Sequence, residues 1–177
     1  SHINITKFFF WVLLIVFTMA PGCPTKGPYV PNPTCVNKLK DAKLHLSNSQ
    51  AFLSRLTGIH YRSYDRGRKQ GQYDDEYREV EAGYNEMAKI KNDLADYKKW
   101  TKPKRFGDIE ALLQTVKAGE PKVKHYYDVM KKWHPNTGYT GIIDKVNFLK
   151  MKHVPGQLKI HQPKVDSLIT NGCVSNS

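Results

Sequence analysis

The chain has 177 residues, 40% hydrophobic and 25% charged, a balance that excludes wholesale disorder and allows one domain with a real core. Lys and Arg outnumber Asp and Glu by 28 to 16, a net charge of +12, which directs attention to anionic lipid, acidic polymers or acidic proteins. The excess is uneven: residues 98–164 carry 15 basic against 5 acidic side chains, whereas 61–97 carry 7 against 9, so the basic surface belongs to the second half.

At the N-terminus, Lys7 precedes the apolar run Phe8–Ala20, which leads into Pro21-Gly22-Cys23. A positive residue, a short apolar stretch, and the small Ala20 and Gly22 ahead of Cys23 form the layout of an export signal. Through residues 1–23 the chain resembles a bacterial lipoprotein signal, in which the cysteine after the small residue becomes acylated and N-terminal. That resemblance makes Cys23 the lipidation candidate. The alternative is a membrane anchor that is never cut, since Ile3–Met19 sits at the lower limit of a span, roughly 17 residues, if Lys7 snorkels to the headgroups. Simple secretion is a third outcome. In the anchored readings Phe8, Phe9, Phe10, Trp11, Leu13, Leu14, Ile15 and Phe17 meet the membrane.

Residues 1–22 are therefore read as the signal or membrane-anchor segment and 23–35 as an extended tether. Pro24, Pro28, Pro31 and Pro33 fix φ there and remove donors. Residues 36–177 are read as a basic helical domain. Val36, Leu39, Ala42, Leu46, Leu53 and Leu56 recur at helical spacing and predict a helix over 36–57 that stops at Gly58. The stretch 62–71, with two glycines, reads as a basic loop. Tyr73, Tyr77, Val80, Tyr84, Met87, Leu94 and Tyr97 predict a helix over 72–100, the longest in the domain, with its tyrosine stripe in the core. Asp74, Asp75 and Glu76 favour its first turn and Lys98 and Lys99 its last.

Lys102-Pro103-Lys104-Arg105 breaks that helix. Asp108 caps an expected helix 109–118 that ends at Gly119, and Pro121 opens another over 121–133. Pro135 ends it, 136–141 reads as a loop, and 142–152 as a further helix. A turn of helix is expected at 164–170 before Cys173. The fold class is mainly α: an irregular bundle of about five helices with little or no sheet.

With Cys23 at the membrane face, Cys35 and Cys173 remain as a pair. Bridged, they close a loop worth about 5 kcal/mol in the chain-entropy account, and such bonds persist in oxidising compartments. No Cys-x-x-Cys occurs, which leaves redox catalysis, zinc ribbons and covalent haem without support.

The seven histidines are scattered, with no i, i+4 pair beside an acid, so no metal site is expected. Asp74, Asp75, Glu76, Glu79 and Glu81 share one helix, so they read as a solvated acidic face and not as a carboxylate pair enclosed by a cleft. No nucleophile or phosphate-binding loop stands in a recognisable motif, and no catalytic residue or cofactor is expected. Lys98, Lys99, Lys102, Lys104 and Arg105, flanked by Trp100 and Phe106, are the candidates for meeting an anionic partner. Export argues against nucleic acid and for anionic lipid or an acidic protein. The sequence thus leads to the expectation of a non-catalytic, membrane-tethered accessory or assembly subunit with its domain on the exported side. Its partners would be other subunits of a membrane complex and membrane lipid. The rival expectation is a binding module for an anionic ligand, a headgroup or a cell-wall polymer, and an enzyme of unidentified class is the remote third.

Overall fold

Asn32 sets the start of the first helix. Its side-chain oxygen accepts from the Cys35 backbone N–H at 3.2 Å, and Pro33 occupies the first helical position, where no donor is needed. The computed structural model describes residues 27–64, 70–133 and 145–176. The apolar run 8–20, Cys23 and the loop 136–141 lie outside the described residues. The chain divides into two units, Ser1–Val30 and Pro31–Ser177. Of the first, only 27–30 are described, as exposed chain without regular structure. The second unit holds all the other described residues.

That unit is built from α1 (Pro33–Tyr64), α2 (Gln70–Asp93), α3 (Phe106–Trp133), α4 (Lys145–Met151), α5 (Val154–Lys159) and α6 (Gln162–Asn171). The mainly helical expectation holds. Among the described residues there is no sheet, only two isolated antiparallel bridges, Pro31 with Ser175 and Thr101 with Cys173. No helix among them is long and apolar enough to cross a membrane.

Partner pairs fix the arrangement. Arg55 meets Glu79, Asn48 meets Glu86 and His45 meets Asp93, so α1 and α2 run antiparallel. Lys91–Glu120 and Tyr127–Glu81 set α3 antiparallel to α2 in the same way. Gln50–Gln162 and Lys43–Asp166 hold α6 on α1, while Thr115–His161 holds it on α3. Four helices thus enclose a core that includes Leu39, Leu46, Leu53, Met87, Ile90, Leu112, Tyr126 and Met130, all at most 1% exposed. Each such side chain contributes about 1.5–3 kcal/mol by leaving water.

Apart from shifts of one to three residues at helix ends, such as the start of α1 at Pro33 inside the expected tether, the helices differ from the sequence expectations in four places. First, α1 does not stop at Gly58 but runs on to Tyr64. Second, α2 ends at Asp93, with 24 residues, and is shorter than α1 with 32 and α3 with 28. The stripe continues through Leu94 and Tyr97 in a tighter turn, a 3-10 helix over Tyr97–Lys99, where Trp100 N–H bonds to Tyr97 O. Spacings of three and four residues suit both kinds of turn, so the pattern did not separate them.

Third, the expected helices 109–118 and 121–133 are one helix, α3, with Pro121 inside it. Gly119 does not end it. It is buried, and a β-carbon there would lie 3.0 Å from Val154 Cγ1 and 3.2 Å from Met87 Cε, so the glycine permits close approach of α5. Fourth, Val154–Lys159 is a helix in a stretch for which the sequence predicts none, because burial of Val154, Pro155 and Leu158 outweighs the Pro-Gly pair. Gly83 follows the same logic as Gly119, with its β-carbon position only 2.7 Å from Leu53 Cδ2 across the α1–α2 contact.

The tyrosine stripe is partly core. Tyr73 and Tyr97 are buried, whereas Tyr77 and Tyr84 are half-buried and stack on Tyr127, with ring centroids 5.9 and 5.7 Å apart. Glu81 Oε2 accepts from the hydroxyls of both Tyr77 and Tyr127 at 2.9 Å. Those bonds to a carboxylate, with burial, push both phenols above their ordinary range and keep them protonated donors.

His161, 7% exposed, ties α6 to α3. Thr115 Oγ1 donates to Ala111 O at 3.0 Å, so it accepts from His161 Nε2–H at 2.8 Å. That assigns the proton to Nε2 and leaves Nδ1, a buried acceptor, without a donor. Burial, and then the charge of Lys164, lower the imidazole pKa below 6.5. A group whose folded pKa is depressed by burial of its neutral form costs stability once pH falls below its unfolded value. The wild type should therefore lose more thermal stability between pH 7 and pH 5 than His161→Gln, which retains a donor for Thr115. Parallel melting curves across that range would contradict the assignment.

Candidate functional site

The basic run occupies the end of the bundle where the chain joins the domain. After the turn that closes at Trp100, Thr101 forms an isolated bridge with Cys173 and Lys102 is extended. Lys102 has φ −60° and ψ 132°, as a residue before proline requires, and Pro103 opens a second 3-10 turn, Pro103–Arg105, that feeds α3. Beside this piece lie the start and the end of the second unit. Asn32 N–H bonds to Val174 O at 2.9 Å, Val174 N–H to Trp100 O at 3.0 Å, and Lys102 N–H to Gly172 O at 2.8 Å. Cys35 and Cys173 are joined by a disulfide with Cα atoms 5.7 Å apart, both sulfurs' residues fully buried. Trp100 and Thr101 are buried beneath the same junction.

The five cations of the run do not act alike. Lys98, Lys99 and Lys104 are exposed and Lys102 is half-buried. The Lys98 ammonium lies 5.9 Å from the centre of the Tyr97 ring. Lys99 is 3.7 Å from Asp96, a pair so exposed that it contributes little. Arg105 instead turns inward. It donates to Asp108 at 2.8 Å and Ser167 at 3.2 Å, and also to Asn171, so it clasps α6 to the start of α3. Tyr97 packs edge-on against Phe106 at 5.4 Å, and its hydroxyl donates to Glu110. Burial and that acceptor push the Tyr97 pKa up to about 12, so the phenol stays a donor. A shallow hollow of about 320 Å³ adjoins the junction, with Lys38, Lys99, Asp93, Asp96 and Trp100 among its lining.

The acidic cluster is not a solvated face. Glu76 is fully buried, Glu79 pairs with Arg55 at 3.1 Å, and Glu81 holds two tyrosines. Only Asp75, paired with Arg78, is exposed. Glu79 and Glu81 thus join helices, whereas Asp75 pairs within α2. Among the described residues no group of His, Cys, Asp and Glu could hold a metal ion. His45 Nδ1 lies 2.5 Å from Asp93 Oδ2 and His161 bonds Thr115, contacts across 48 and 46 residues that no local pattern signals. Cys23 and the membrane candidates Phe8–Phe17 lie outside the described residues. No protein-family model matches the chain, and neither a curated protein nor a solved structure matches it.

The division within the run is testable. Arg105→Gln removes charge-assisted bonds to three partners and should destabilise the domain by about 2 kcal/mol. Lys104→Gln, at an exposed position, should change stability by no more than about 0.5 kcal/mol. Urea unfolding measures both, and equal effects would mean that Arg105 is as free as Lys104.

Proposed function

We propose that this chain is a non-catalytic, membrane-tethered accessory or assembly subunit of a membrane protein complex, its helical domain displayed on the exported side. The observation that carries the reading is the junction. The end at which Pro31 and Asn32 enter the domain also bears exposed Lys98, Lys99 and Lys104, and the disulfide binds the two features together. A domain with cations beside its point of attachment suits contact with anionic headgroups or an acidic neighbouring subunit, each Lys near a charged leaflet contributing about 1 kcal/mol. The disulfide suits an oxidising compartment. Two of the acids that the sequence gathers, Glu79 and Glu81, serve as ties between helices.

The apolar run Phe8–Ala20 strengthens the case, because it is costly in water and short for a lone span, a combination relieved by packing against longer membrane neighbours. Extraction of native membranes with gentle detergent, followed by size analysis and subunit identification, should place the protein in a larger assembly. Charge reversal at Lys98, Lys99 and Lys104 should weaken that association more at low than at high salt. A stable lone monomer in the extract, or equal losses at both salt concentrations, would sink the docking role.

A further inference from the structure

A second basic site lies elsewhere on the bundle. Lys122 and His125 are three residues apart on α3, so they share one face of the helix, and Lys150 of α4 reaches the same place. With Pro121 they line a concavity of about 270 Å³. Lys122 is half-buried, and His125 and Lys150 are exposed at its rim. At 1.5 Å per residue, Lys122 lies about 24 Å along α3 from Phe106, so this hollow is distinct from the cations at the disulfide junction.

Its charge balance sets it apart. The neighbouring Lys124 is held by Asp128 at 2.8 Å, Lys91 by Glu120 at 2.7 Å and Lys89 by Glu86 at 2.9 Å. Among the described residues Lys122 and Lys150 have no carboxylate partner. Two ammonium groups that flank one hollow repel each other, and the proline ring and lysine stems in its wall reduce the screening that water provides. An anion in the hollow turns that repulsion into attraction. The ammonium groups and the imidazole bring N–H donors from two helices to one hollow, which suits an oxyanion such as phosphate that accepts several hydrogen bonds.

We infer that Lys122, His125 and Lys150 form a binding site for a phosphate-type oxyanion, either the free ion or a phosphodiester headgroup. The site does not depend on the docking role proposed above.

The test uses the full-length protein in a non-ionic detergent, labelled at histidine Cε1 and followed by NMR at constant ionic strength. Loss of one resonance in His125→Gln identifies the reporter. Inorganic phosphate should move that resonance along a saturating curve, and Lys122→Gln/Lys150→Gln should weaken the apparent affinity about tenfold or more. The double variant Lys122→Arg/Lys150→Arg, which keeps both charges, should retain the binding. Unchanged positions of the other histidine resonances show that each variant is folded. Glycerophosphoglycerol in place of phosphate separates the sources: saturation by it assigns the site to headgroups, and saturation by phosphate alone assigns it to the free ion. A shift that never saturates with either probe, or the same curve in the Gln and Arg double variants, overturns the site.

Discussion

A single covalent bond, Cys35 to Cys173, closes a loop of 138 residues and draws both ends of the domain to one place. Closing a loop of that length removes about 5 kcal/mol of conformational entropy from the unfolded chain. Its structural effect is local. The bond anchors the C-terminal residues 172–175 between Asn32 on one side and Trp100–Lys102 on the other, through three backbone hydrogen bonds and two isolated bridges. Without that clamp these short extended pieces have no sheet to belong to, and two-stranded contacts of this size are marginal in water. The first turn of α1, the link from α2 to α3 and the end of α6 all take their positions from the same junction.

From this constraint follows the division of labour among the cations. The link between α2 and α3 is fixed at Trp100–Lys102, so the turns on either side hold Lys98, Lys99 and Lys104 outward. Arg105, one residue before α3, faces α6 and becomes part of the scaffold. A run of five similar charges thus contains both a surface and a brace. The hollow at Lys122, His125 and Lys150 belongs to a different part of α3 and rests on none of these contacts.

Much of the fold was legible because its helices carry apolar residues at regular spacing: Leu39, Ala42, Leu46, Leu53 and Leu56 are all buried as α1 requires. The disulfide was legible from cysteine number and an export-like start. What the residues did not reveal were places where tertiary contact overrides local preference. Gly119 and Pro121 mark a helix break by propensity, yet Val116, Val123, Tyr126 and Met130 continue the buried stripe across them, and Val154 needs the space that a glycine leaves. Glu76 looks like a first-turn surface acid and is buried, since only the packed structure shows which face of α2 is covered. Arg105 looked like its neighbours because its acceptors Ser167 and Asn171 are more than 60 residues away.

On this structure the Cys35–Cys173 bond holds the joining end of the chain and the cation-bearing link as one unit. Residue-resolved amide hydrogen exchange on the wild type and on Cys35→Ala/Cys173→Ala measures that coupling. Loss of the bond should lower protection at Asn32, Lys102 and Val174 far more than at Ile90 and Val123, deep in the bundle. Unchanged protection at Asn32, Lys102 and Val174 would contradict it, because the backbone hydrogen bonds would then hold the junction without the sulfur bridge.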